Sequence, residues 1–142
     1  MKLIQFKPEL SLEKHITRIG MGLAMIFAGI SHLTFKRTEF QAQVPKWIPV
    51  NQDVVVIGSG VIEILLGLAM LFLKKKERAG LMLAVFYCLI FPGNISQYTN
   101  RVDAFGLNTD QARLTRLFFQ PVLVFLAIWS THSRKQLRQY LR

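Results

Sequence analysis

The chain has 142 residues, 51% of them hydrophobic, and combines a mean hydropathy of +0.32 with a formal net charge of +10. That length holds one domain, and the single cysteine, Cys88, excludes an intramolecular disulfide, a CxxC redox pair and a thiolate zinc cluster. The basic residues flank apolar runs instead of lining one polar face, which is the pattern of membrane spans with charged ends and argues against nucleic acid as a partner.

Residues 1–18 are polar and mixed in charge. The apolar run behind them comes too late, and is too long, for a cleavable signal, so the reading is a retained first span. Its apolar core is 19–33, and Ile16 extends it to a helix over about 16–34 with Arg18 snorkelling at its start. The loop 35–53 is long for a bundle connection. Phe40 and Val44 are spaced i, i+4, which predicts a short interfacial helix, and Pro45-Lys46-Trp47-Ile48-Pro49 then makes a rigid corner. Trp47 reads either as an interface anchor or as a lid over the bundle's mouth.

The second span, 54–73, reaches the ~20 residues a helix needs to cross a bilayer. A Lys74-Lys75-Lys76-Glu77-Arg78 turn leads to the third, 79–97, which Pro92 interrupts near its end. Loop 98–112 carries a Gly106-Leu107-Asn108 turn signal and a Thr109-Asp110 helix cap. The fourth span covers about 114–131, with Arg116 at its flank and Pro121 one turn in. The tail 133–142 is a short basic helix or frayed end suited to anionic headgroups. No run alternates with the period of a membrane strand. The expected fold class is an all-α membrane protein, one domain over 1–142 built as an antiparallel four-helix transmembrane bundle.

Orientation follows from the basic residues. With both termini cytoplasmic, that side holds Lys2, Lys7, Lys14, Arg18, Lys74, Lys75, Lys76, Arg78, Arg134, Lys135, Arg138 and Arg142. These are twelve of the 18, against six (Lys36, Arg37, Lys46, Arg101, Arg113, Arg116) on the other side. The positive-inside bias therefore places both termini in the cytoplasm.

Glu63 is the only charge between Val54 and Leu73. A carboxylate in mid-span costs about 2.5 kcal/mol or more unless it is paired, protonated or hydrated. Gly60, Glu63 and Gly67 lie at i, i+3 and i+7, so the carboxylate shares a helix face with two residues that admit a close neighbour. In the expected topology Glu63 lies ~14 Å down its helix. His32, Asn94, Arg116 and Gln120 fall in the same outer half, and the inner half reads as nearly pure hydrocarbon. The spacing predicts an outward-facing polar pocket with Glu63 at its floor. Each member also has a plainer reading. Asn94 could cap carbonyls freed by Pro92, Gln120 could be an interhelical donor, and Glu63 could pair with Arg116 or His32 simply to lock the bundle. The faces Ala24/Ala28 and Gly22/Gly29 suit either internal packing or dimerisation, and Cys88 reads as a small buried hydrophobe.

These residues resemble the DoxX, or DoxX-like, family of membrane proteins. The resemblance spans about 16–131 and rests on Gly29-Ile30-Ser31-His32, Pro45-Lys46-Trp47-Ile48-Pro49, Gly60-Val61-Ile62-Glu63 with Gly67, Phe91-Pro92-Gly93-Asn94, and Arg116-Leu117-Phe118-Phe119-Gln120 with Trp129. Gly93 stands where the family usually has Ala, and Phe118 where it usually has Pro. The resemblance implies a four-helix bundle similar in architecture to sterol-isomerase-like and vitamin-K-reductase-like proteins, in a bacterial inner membrane. It implies no single reaction, since members are linked to sulfur and quinone redox chemistry, to redox-stress complexes and to receptor-assembly chaperoning.

Three functions are expected in that order. The first is binding of a lipid- or quinone-like molecule by Glu63, His32, Asn94, Arg116, Gln120 and Trp47, with Glu63 and His32 as the candidates for acid–base work. The second is a quinone-linked subunit of a membrane redox complex, and the third a non-catalytic assembly protein. Besides the bilayer, the partners to expect are a redox protein or a second copy of the chain. Bound quinone or lipid is the expected small molecule, and no metal is expected.

Overall fold

The computed structural model describes residues 11–102 and 109–142. The Gly106-Leu107-Asn108 turn and most of the polar N-terminal segment lie outside the described residues. The described chain is helical: α1 (Leu12–Leu33), α2 (Arg37–Gln43), α3 (Gln52–Phe72), α4 (Lys76–Thr99), α5 (Asp110–Ser130) and α6 (Arg134–Tyr140). Four of these, α1, α3, α4 and α5, are long and apolar enough to cross a membrane.

The helices begin ahead of their apolar runs because polar residues cap them. Ser11 accepts from the Lys14 amide, Asn51 from Asp53 at 2.8 Å, and Thr109 from Ala112 at 3.1 Å. Each side chain satisfies an amide that the first turn leaves without a partner. Glu13, Asp53, Glu77 and Asp110 stand in first turns, where a negative charge complements the helix dipole.

Pro92 does not interrupt the third span. Helix α4 runs unbroken through it, and α5 runs unbroken through Pro121. Neighbouring helices make a lost backbone hydrogen bond tolerable within a span.

Helices α1 and α3 form one close pair, α4 and α5 another, and the two pairs meet less extensively. Glycine makes the first pair possible. A Cβ on Gly29 would stand 2.5 Å from the Gly60 carbonyl oxygen and 2.6 Å from Ile64 Cγ1. One on Gly67 would stand 2.6 Å from the Gly22 carbonyl oxygen. The Gly22/Gly29 face therefore serves packing within the chain. Ala24 and Ala28 face a cavity instead.

At the far end from α2 the core is sealed by Met21, Met25, Met70, Leu83, Phe86 and Ala127. That end is not purely apolar, contrary to expectation. Arg18 does not snorkel: it is buried, and its Nη1 donates to the carbonyls of Met70 and, at 3.3 Å, Leu71. It thus caps the last turn of α3, where unpaired carbonyls favour a cation. Ser130, Thr131 and Ser133 are buried there too, with Ser133 Oγ donating to the Glu77 carbonyl at 2.6 Å. Cys88 is exposed, not buried.

Candidate functional site

At the α2 end the helix pairs part around a cavity of about 490 Å³. Its wall includes five of the six residues expected to bind a ligand: His32, Trp47, Glu63, Asn94 and Arg116. The sixth, Gln120, sits behind that wall and holds it together. Its Oε1 accepts from Asn94 Nδ2 at 3.2 Å and from Arg116 Nη1 at 3.1 Å, and its Nε2 donates to the Tyr87 carbonyl at 2.8 Å. Asn94 gives its amide to Gln120 and not to a backbone carbonyl. A fully buried amide with these three bonds fixes α4 and α5 in register.

Glu63 is 95% buried, with 5% of its surface exposed. His32, equally covered, is its charge companion: Nδ1 lies 2.8 Å from Glu63 Oε2. The same Nδ1 lies 2.8 Å from the Ala28 carbonyl oxygen, one turn back on α1. With an oxygen on either side, Nδ1 is the nitrogen that carries a proton, and it can direct that proton at one acceptor. The carbonyl is the aligned one, so Glu63 Oε2 has no hydrogen-bond partner among the described residues. A buried carboxylate oxygen left this way carries a desolvation penalty of about 1–3 kcal/mol or more. The expected alternative pair, Glu63 with Arg116, does not form within ion-pair distance.

Three neighbours complete the site without having been expected. Phe40 on α2 stacks on His32, ring centroids 3.2 Å apart, and lines the cavity. Tyr87 lines it from α4, its hydroxyl 3.4 Å from Met25 Sδ, within electrostatic reach of both Glu63 and Arg116. Ser59 stands one turn before Glu63 on the same helix. Tyr87 carried a signal in the sequence, a phenol amid an apolar run, and Ser59 is i−4 from the carboxylate. Phe40 carried none beyond its amphipathic spacing.

Helix α2 is pinned over the cavity. Arg37 Nε donates to Asp53 Oδ1 at 2.6 Å, Arg37 Nη2 to Oδ2, and Gln41 Nε2 to Oδ1 at 2.8 Å. This fork-to-fork geometry joins α2 to the first turn of α3. Val44 and Pro45 are buried beyond it, and Trp47 is 75% exposed while lining the cavity. A second, more open cavity of about 480 Å³ adjoins, bounded by Lys46, Ser96, Thr99 and Asn100, and shares Trp47 and Pro92 with the first. No cluster of three or more metal-ligating side chains occurs among the described residues.

A family model matches residues 21–131. The chain belongs to that family, a domain of unknown function (DUF8561). No curated protein and no solved structure matches the chain. The DUF8561 match starts within α1 and ends just after α5, so it contains every residue that lines the two cavities. Outside it fall the N-terminal segment with Arg18 and the basic α6.

Proposed function

We propose that this DUF8561 protein is a small multi-pass membrane protein of DoxX-like type that binds a lipid- or quinone-like amphiphile in the cavity at Glu63. The contacts of Gly22 with Gly67, Gly29 with Gly60, and Gly80 with Thr131 support an antiparallel order of the four spans. Positive-inside charge supports cytoplasmic termini, and hence a cavity open towards the outer face of a bacterial inner membrane.

The observation that carries the binding reading is Glu63, a buried acidic side chain in the wall of a cavity of ligand size. A ligand with an O–H or N–H donor can bond the Glu63 carboxyl group there. The remaining lining is mainly aliphatic and aromatic, which suits an apolar body. Leu89 and Phe119 line the cavity while 72% and 51% exposed, so in a membrane the cavity communicates sideways with hydrocarbon. An amphiphile can enter from the bilayer without crossing water.

The test is native mass spectrometry of protein purified in mild detergent. Wild type is expected to carry a non-covalent adduct in the lipid or quinone mass range, and Glu63→Gln to lose most of it while keeping its helical circular-dichroism spectrum. An identical adduct distribution in wild type, Glu63→Gln and Glu63→Ala would refute the reading.

A further inference from the structure

The charges around the two cavities are unequal in their companions. Glu63 has the His32 imidazole at 2.8 Å. Arg116 has no carboxylate within ion-pair distance among the described residues, and its one hydrogen bond goes to Gln120 Oε1, a neutral amide oxygen already shared with Asn94. A guanidinium presents five N–H donors and keeps its charge at any relevant pH. Its other donors have no partner among the described residues, and in a half-buried position beside the cavity the charge gains from an anion that meets it. Lys46 adds a second cation on the adjoining cavity, where no lining residue among the described residues is acidic.

The apolar complement stands on the same helix face. Arg116, Phe119 and Leu123 are spaced i, i+3 and i+7, and all three line the cavity. The face therefore reads as a cationic head position followed by about 10 Å of apolar wall leading inward. Ile90 on α4 and Met25 on α1 line the cavity from its other walls. Glu63, deeper along its own helix, lines the same cavity and is placed to accept an O–H or N–H further along the ligand.

We propose that the ligand is an amphiphile with an anionic headgroup, a carboxylate or a phosphate, held by the Arg116 guanidinium at the mouth with its chain along Phe119 and Leu123. This rests on the amphiphile reading of the cavity and adds the charge of the head. Asn94, beside Arg116 on the shared Gln120, is placed to add a polar contact to the same group.

The experiment compares four single-chain amphiphiles of equal chain length in detergent-solubilised full-length protein: a fatty acid, a lysophosphatidic acid, a monoacylglycerol and a lysophosphatidylcholine. Affinity is read by native mass spectrometry titration. Wild type is expected to bind at least one of the two anionic heads about tenfold or more tightly than the neutral and zwitterionic heads, the gain typical of a hydrogen bond to a charged group. Which anionic head wins separates a carboxylate source from a phosphate source. Arg116→Gln should remove the preference for anionic over neutral heads, and Arg116→Lys should keep part of it. Equal affinities across the four heads in wild type, or a preference that survives in Arg116→Gln, would overturn the inference while the cavity reading stands. Failure of all four to bind would overturn the inference, and the adduct comparison of wild type with Glu63→Gln then decides the cavity reading separately.

Discussion

The phenyl ring of Phe40 lies on the imidazole of His32, with centroids 3.2 Å apart and planes 18° from parallel. One side chain from a seven-residue helix thereby covers the histidine that accompanies the buried carboxylate. The cover is held from outside by Arg37 and Gln41 on Asp53.

Phe40→Ala should uncover His32, which is 6% exposed in the intact protein. Carbethoxylation followed by peptide mass analysis reads each histidine separately, and His32 should react faster in the variant while His15 and His132, at the opposite end, keep their rates. The lost stack costs about 0.5–1.5 kcal/mol beyond the buried area. Arg37→Ala should give an intermediate His32 rate with little change in melting temperature, since an exposed ion pair contributes little to global stability.

Close packing of α1 on α3 leaves no room for a methyl group. Gly29→Ala and Gly67→Ala should each destabilise the protein by about 1–3 kcal/mol, the usual range for overpacking. Gly58→Ala is the control, because nothing lies within 4 Å of a Cβ there and removing a helical glycine gains about 0.5–1 kcal/mol. Thermal unfolding in detergent should therefore rank Gly58→Ala at or above wild type and the other two below it.

Gln120 and Asn94 differ in what their loss leaves behind. Gln120→Ala removes the bond to the Tyr87 carbonyl and leaves Asn94 Nδ2 and one Arg116 donor without their acceptor, at about 1–3 kcal/mol. Asn94→Ala removes one interhelical bond that averages about 0.6 kcal/mol in membrane bundles. In a double-mutant cycle the second substitution should cost almost nothing once the first is present. Additive losses would mean that the two amides act independently.

Trp47 lines both cavities, whereas Trp129 lies at the other end with Lys14 Nζ 5.4 Å from its ring centroid. Titration with a bound amphiphile should shift tryptophan emission in wild type and in Trp129→Phe. The shift should vanish in Trp47→Phe, although that protein still binds. A shift carried by Trp129 would place the ligand at the opposite end.

Much of this site was legible because hydrophobic runs fix depth. Once four helices are counted, the rise per residue brings His32, Glu63, Asn94 and Arg116 to one end, and they do line one cavity. Depth alone says nothing of rotation about a helix axis. That is why Gln120 was expected in the wall and lies behind it, and why the partner of Glu63 stayed open between His32 and Arg116. Arg18 was misread for a related reason: a basic residue at a span's end looks the same whether it reaches for headgroups or folds back onto the carbonyls of α3. Phe40 depends on how the loop folds over the bundle, which its spacing does not encode.

The glycine-mediated contact of α1 with α3 has a consequence for biogenesis. Every residue of that contact has been synthesised by Phe72, before α4 begins, so the first helix pair can assemble while the second is still being made. The cavity draws its wall from both pairs: His32 and Glu63 come from the first, Asn94 and Arg116 from the second. It is therefore the last feature of the molecule to exist, a seam closed when the later hairpin docks on the earlier one. A molecule seated in that seam binds only the assembled protein, and so stabilises it by mass action. Cells starved of that molecule should hold less of the mature protein even when translation is unchanged.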